Sequence, residues 1–413
     1  MHIIGGGVIG LCSAWYLRLA GYDVTVVDRT DMQDGCSFGN AGIIVPSHSI
    51  PLASPGVIAQ GIRWMFSAGS PFYIKPRLDP DLLKWLWRFY RSCSKEHVER
   101  ATPVMRDFHL LSKSLYTEFG ANDGFAFDLE ERGSLMLYRT AKGEHEEKES
   151  AEKAQALGLR VSYLTHAQLA ELDPDMRCDV PGGILYHDDA HLYPGKFVLQ
   201  LQGALRSAGV RFLPLHEVTG FITSGARITH LRFANAAPET VNDVVLASGA
   251  WTGKLAKRLG LHLLMQDGRG YSVTIKGHPL RPGLPAILSE ARVAVTPMGD
   301  DLRIGGTLEV SNFSKNINHK RVSAILDAMK LYYPDFPNPD PASLRIWYGY
   351  RPVSADGLPY IGRPRTYDNL IIAAGHAMLG MSLGPATGLL VSEIAQGRQT
   401  SLSMQIFLPD RHQ

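Results

Sequence analysis

Gly5, Gly7 and Gly10 stand at the spacing GxGxxG inside the opening MHIIGGGVIG. Between a strand and a helix, this spacing cradles a dinucleotide pyrophosphate. The first glycine allows the tight turn, the second lets backbone approach the phosphates, and the third lets the helix pack on the strand. The helix start at Val8 and Ile9 then offers free amides and the positive end of the dipole. Asp28 closes the next apolar run, where a carboxylate accepts hydrogen bonds from ribose hydroxyls. Arg29 beside it suits a 2′-phosphate, but Asp28 repels one, so NADP is the weakest nucleotide reading. The fingerprint does not separate NAD from FAD.

The elements that position these residues are a buried strand at residues 2–4, an amphipathic helix over 11–19 stopped by Gly21, and a second strand over 22–28. Residues 36–61 are rich in Gly, Pro, Ser and Ala and read as a long irregular loop with work to do. Helical patterns follow at 81–91 and 106–119, then a strand at 134–138 and a charged helix at 143–157. The run EHEEKESAEK in that helix reads as a solvated face. A helix at 194–208 and strands at 210–215 and 241–247 restore the opening alternation, with an antiparallel excursion at 220–233. Residues 268–350 carry several strand-like runs and one helix, 320–332, which suggests a separate sheet. A strand at 370–374 and a helix at 384–394 end the pattern.

With 413 residues, 45% hydrophobic and 20% charged, the chain is long enough for two domains and ordinary for a folded globular protein. A net charge of +2 offers no footprint for nucleic acid. Cys12, Cys36, Cys93 and Cys178 are too scattered for a disulfide framework or a metal site. The opening enters the glycine motif without a secretory pattern, which predicts a cytoplasmic protein. No apolar run reaches the roughly 18 residues that cross a bilayer. Membrane contact is thus expected to be peripheral at most. Residues 82–91 (LLKWLWRFYR) combine an apolar face with basic residues and read either as an interfacial helix or as core packing.

Further segments carry a resemblance. SFGNAG (37–42) with the Pro-rich stretch to Gly56, GYRPVSADGLPYIG (349–362) and GHAMLGMSLGPATG (375–388), together with RGYSVTI and LRIGGTLE, resemble the D-amino acid dehydrogenase family. They are also similar to glycine oxidases and, more distantly, to D-amino acid oxidases. The resemblance spans nearly the whole chain. It implies FAD, held non-covalently because no cysteine follows Cys178 to serve as the C-terminal tether. The implied flavin contacts are Gly5, Gly7, Val8, Ile9, Gly10, Asp28, Arg29, Ser37, Asn40, Ala41, Gly42, Val218, Ser248 and Gly249. A second set is Gly375, Met378, Leu379, Gly380, Met381 and Ser382, a loop and helix start that would stabilise negative charge on the reduced flavin pyrimidine.

For the substrate, the resemblance puts a carboxylate-binding arginine at Arg351, the planar fork that fixes an amino acid's orientation; its bland alternative is an arginine tying loops together through carbonyls. Tyr271, a candidate catalytic residue alongside Arg351, and Tyr348 either hold the same carboxylate or simply pack. His48 either reaches the pocket or sits on an exposed loop. His376 invites a general-base role, yet hydride transfer from Cα to flavin N5 needs no protein base once the amine is neutral.

The resulting expectation is an α/β chain. Its discontinuous Rossmann-like FAD domain (1–60, 190–260, 351–413) has a central parallel sheet, and its α+β substrate domain (61–189, 261–350) a mostly antiparallel one. The expected activity is oxidation of a small D- or cyclic amino acid, hydroxyproline included, with electrons passed to a quinone or other acceptor. An oxygen-using oxidase is the alternative. From another class come an FAD-binding relay or assembly subunit, and an NAD-dependent dehydrogenase. A homo- or hetero-oligomer is left open.

Overall fold

The structure, a computed structural model, describes residues 1–59, 61, 70–174, 176–337, 339 and 344–412. The expected 60/61 boundary therefore falls beside residue 60, outside the described residues. A six-stranded sheet runs in the order Tyr360–Gly362, Leu370–Ala374, Val244–Leu246, His2–Ile4, Thr25–Val27 and Arg211–Leu213. Its pairings are parallel except the first. The four central strands are covered on both faces, which is why they read as continuous apolar runs. The excursion expected between the last two βα units is an antiparallel hairpin, Val218–Ser224 with Arg227–Phe233.

The helix Val8–Leu19 lies on this sheet, and the helix Gly380–Ala395 lies on that helix. Their approach is close enough that a Cβ on Gly388 would stand 2.4 Å from the backbone of Cys12, and one on Gly384 2.8 Å from the Val8 side chain. The later helix contains Pro385, which leaves the Met381 carbonyl without an intrahelical donor. Tyr116 supplies one, its hydroxyl donating at 2.6 Å. That helix begins four residues before the sequence pattern suggests.

Tyr116 belongs to the helix Lys95–Gly120, again longer than expected. The expected pattern covers only the part from residue 106, beyond Pro103. Here the helix runs through it, since the carbonyl the proline frees belongs to exposed Glu99. The helix Ala141–Ala156 is solvated along Glu144–Lys148 and Glu149–Lys153, as its charges suggest. Glu147 is the exception, buried against the Ser289 hydroxyl.

A nine-stranded, mostly antiparallel sheet forms the second layer system. At one edge Ile346–Ser354 pairs with Met265–Ile275, which pairs with Asp301–Val310. The expected boundary at residue 351 thus divides a strand, and residues 351–354 extend the larger sheet instead. The helix His319–Tyr332 covers one face of this sheet, while the loop at 36–40 and the helix Pro80–Ser92 cover the other.

Candidate functional site

A cleft of about 1790 Å³ lies between the two sheets, larger than the roughly 300 to 1,000 Å³ typical of a small-ligand pocket. Its floor at one end is the glycine turn. Gly5 has φ +118°, and a Cβ there would meet the Ala247 carbonyl at 2.3 Å. Gly10 must be glycine because a Cβ would meet the Gly5 carbonyl. Gly7 caps the first helix without a side-chain hydrogen bond, so its N-terminus opens on the cleft; Ser37 Oγ accepts from the Val8 amide at 2.9 Å. The two Asp28 oxygens are held by the Gly6 amide at 2.7 Å and by the amide and hydroxyl of Thr30 at 2.8 and 2.9 Å. Arg29 stacks its guanidinium 3.7 Å from the ring centre of Trp251, a partner with no signature in the sequence.

A second helix start meets the same cleft. Met378, Leu379, Gly380 and Met381 border it, and the cap at Leu379 makes no side-chain bond. Asn40 ties the two walls, its amide nitrogen 3.5 Å from the Met378 carbonyl. Ser37, Asn40, Ala41, Val218, Ser248 and Gly249 also border the cleft. Gly10, Gly42, Gly375 and Ser382 do not. The first three are turn or contact glycines, Gly42 and Gly375 with φ +76° and +86°. Ser382 is buried, its hydroxyl accepting from the Val45 amide and bonded to His109, so it positions the loop rather than facing a ligand. Arg303 does similar work, donating at 2.7 Å to both the Phe38 and Asn40 carbonyls.

The larger sheet presents Arg351. Gly268 is its partner across the ladder, so Arg351 shares a face with Gly268, Gly270, Ser272, Trp347 and Gly349. The guanidinium lies back over Gly270, where a Cβ would stand 2.2 Å from Nη1. It donates to the Thr307 carbonyl, which a bulge in Asp301–Val310 turns towards it; Thr307 has φ +63°, a strained value for a β-branched residue. No carboxylate pairs with Arg351 among the described residues, and burial pulls its pKa down.

Tyr271 and Tyr348 are paired with each other and alternate to the opposite face. There Tyr271 is 1% exposed, its hydroxyl 3.5 Å from Glu309 Oε2 and accepting from the Asn318 amide at 3.1 Å. The structure therefore does not put either phenol on the Arg351 face; both pack in the core beneath the helix His319–Tyr332, and both also border the cleft. His48 is a correction in the other direction. It is not an exposed loop residue but borders the cleft, with burial and Arg292 taking its pKa down to about 4. His376 is buried with Nε2 on Thr387 and its pKa pulled down to about 3 by burial, so it is neutral; its Nδ1 has no partner among the described residues. Cys36 remains a thiol, donating to the Tyr350 carbonyl, with burial pushing its pKa up to about 11.

The model of the family described as FAD dependent oxidoreductase matches residues 2–394. The chain belongs to that family. A D-amino acid dehydrogenase of Rhizorhabdus wittichii is 30% identical over 419 residues, covering 99% of both chains. Another, of Paramagnetospirillum magneticum, is 32% identical over 409 residues, covering 97% of this chain and 96% of the relative. Among solved structures, glycine oxidase from Geobacillus kaustophilus has a TM-score of 0.78 at 23% identity, covering 100% of this chain and 98% of that one. L-Proline dehydrogenase from P. horikoshii has 0.72 at 19%, covering 99% and 96%. These last two likenesses concern the fold.

FAD is the cofactor of this oxidoreductase, and the residues present fit it. The turn admits no Cβ at Gly5 or Gly10, Gly7 borders the cleft without a side chain, Asp28 stands at the end of the second strand, and two helix starts open on one cleft. Among the described residues no helix is long and apolar enough to cross a membrane.

Proposed function

We propose that this FAD-dependent oxidoreductase is a dehydrogenase of small amino acids, D-configured or cyclic, that passes electrons to a quinone or other acceptor. The observation that carries this reading is Arg351, a half-buried guanidinium bordering the cleft with no carboxylate partner among the described residues. A cation left unpaired at such a place is costly, and a substrate carboxylate is the complement that repays it. The names of the sequence relatives agree with an amino acid substrate.

In this reading the Gly5, Gly7 and Gly10 turn with Asp28 holds the dinucleotide half, and residues 377–381 hold the flavin ring. Bound FAD supplies the hydride acceptor for the carbon that bears nitrogen. Arg351 sets the distance and face of that carbon by fixing the carboxylate. The larger sheet roofs the site and limits water. The imino acid product then hydrolyses to a keto acid and ammonia, or remains a cyclic imine when the substrate is a proline. The division into a discontinuous FAD domain and an inserted substrate domain is proposed along the two sheets, with residues 351–354 moved to the larger sheet and the helix Lys95–Gly120, which packs on Gly380–Ala395, moved to the FAD domain.

For the acceptor, the helix Pro80–Ser92 offers support. It buries Leu82 and Trp85 yet leaves Leu83, Trp87 and Tyr90 more than half exposed beside Lys84 and Arg91. That pattern suits peripheral contact with an anionic bilayer and a lipid-soluble acceptor. Cosedimentation with phosphatidylglycerol vesicles, lost in Trp87→Ala, is the expected result; equal pelleting of both would remove this part.

The test of the reaction is an anaerobic absorbance titration of the purified holoenzyme with D-amino acids, glycine, sarcosine and the stereoisomers of proline and 4-hydroxyproline. Bleaching of the flavin band by one set identifies the substrate class. No bleaching by any of them would overturn the reading.

A further inference from the structure

Behind the cleft wall lies a carboxylate that the proposed reaction does not use. Asp189 is fully buried beside the short strand Ala190–His191. Its Oδ2 accepts from Ser134 Oγ and Ser47 Oγ, both at 2.6 Å, and its Oδ1 from the Ser47 amide at 3.0 Å. No cation pairs with it among the described residues. Three donors compensate the carboxylate, although burial still pushes its pKa up to about 6. Ser47 continues the chain, with Oγ 2.9 Å from His48 Nδ1.

The hydrogens on this chain can be counted. Ser47 has one hydroxyl hydrogen, and ionised Asp189 takes it. Ser47 Oγ is then only an acceptor towards His48, so Nδ1 carries the imidazole hydrogen and Nε2 keeps a lone pair. Nε2 has no partner among the described residues, and the ring borders the cleft. His376 borders the cleft too, but its Nε2 is committed to Thr387. The groups acting on His48 are Asp189 through Ser47, Arg292 beside the cleft, and His109, whose Nδ1 lies 2.9 Å from Ser382 Oγ; Lys113 acts on Asp189. Arg292 and burial both keep the ring neutral, so it faces the cleft as an acceptor.

We propose that His48 reads the substrate: fixed in one tautomer by Ser47 and Asp189, its Nε2 accepts a hydrogen bond from an N–H or O–H donor of the molecule whose carboxylate Arg351 holds. This rests on the reading of Arg351 given above. The donor is either the α-amine, common to all amino acids, or a hydroxyl or amine further along the substrate. Ser47 and Asp189 act through His48 and are positioning residues.

The experiment follows anaerobic flavin reduction in the holoenzyme with pairs differing by one donor, proline against 4-hydroxyproline and alanine against serine, in the reactive configuration. His48→Gln should lower kcat/KM by about tenfold. Ser47→Ala should lower it several-fold through KM, and Ser47→Thr, which keeps the hydroxyl, should restore it. FAD content and the preference for an acid over its amide stay as in wild type. A loss shared by both members of a pair assigns the α-amine, and a loss confined to the hydroxylated member assigns the distal group. The wild-type advantage over Ser47→Ala should shrink as pH falls below about 6, where Asp189 gains its proton and no longer directs the Ser47 hydroxyl. Unchanged kcat/KM in His48→Gln, or a Ser47→Ala loss that Ser47→Thr does not rescue, overturns the proposal while leaving the reaction intact. A wild-type enzyme that no amino acid reduces overturns the underlying reading instead, and this one with it.

Discussion

Two arginines on adjacent strands of one sheet have opposite circumstances. Arg269 is 2% exposed on the face covered by the helix His319–Tyr332, with Glu309 at 3.1 Å and its Nη1 donating at 2.6 Å to the Ser314 and Asn316 carbonyls. Arg351, on the cleft face, donates to a single carbonyl, that of Thr307, and meets no carboxylate among the described residues. Arg269 is buried and Arg351 half-buried, so withdrawal from solvent alone does not mark a binding residue. What distinguishes them is the carboxylate: the first arginine has Glu309 and is part of the fold, and the second has none among the described residues and borders an open space, where the proposed reading puts a ligand.

The largest effect should come from breaking the paired site. Arg269→Met leaves the buried Glu309 with only the longer contacts to Arg321 at 3.7 Å and the Tyr271 hydroxyl at 3.5 Å, and is expected to cost about 3 to 5 kcal/mol in denaturant unfolding. A loss below about 1 kcal/mol would mean that the pair is not structural. Arg351→Met should leave stability within about 1 kcal/mol of wild type and FAD bound, yet lower kcat/KM by roughly ten- to over a hundredfold, equivalent to about 1.5 to 3 kcal/mol. Stopped-flow reduction with excess amino acid checks it, and comparable damage from the two substitutions in both assays would erase the comparison.

A smaller change sharpens it. Gly270→Ala places a methyl where the Arg351 guanidinium now lies, and the flexible end of that side chain must shift. Catalytic efficiency should fall several-fold in wild type and no further in the Arg351→Met background, the non-additivity expected of two changes acting on one group. Smallest is the pH term of Asp189. Its folded pKa, about 6, lies above the ordinary aspartate value of 3.8, so its contribution to stability is fully present below the lower value and lost as pH rises through the upper one. Asp189→Asn should flatten the stability profile over that interval, and an unchanged profile would mean that Asp189 titrates normally.

Much of the nucleotide half was legible because its chemistry is local. Gly5, Gly7, Gly10 and Asp28 belong to one short βαβ unit, and the spacing of the glycines is itself the geometry. The substrate side was legible as a set of residues but not as faces. Met265–Ile275 is covered on both sides over most of its length, so alternation does not say which way Tyr271 points, and one ladder register put it opposite Arg351. The helices that contain Pro103 and Pro385 both begin earlier than expected, because a proline is carried inside a helix where the carbonyl it frees finds another partner. Trp251, Arg303 and Asp189 left no signal. Each acts through residues far away in the chain, and single long-range contacts have no spacing to read.

The central claim, that Arg351 is held ready for a substrate carboxylate, is tested most directly by comparing anaerobic flavin reduction by the best amino acid and by its carboxamide in wild type and Arg351→Met. The account predicts strong preference for the acid in wild type and little preference in the variant, with FAD content equal. The same preference in both proteins would contradict it.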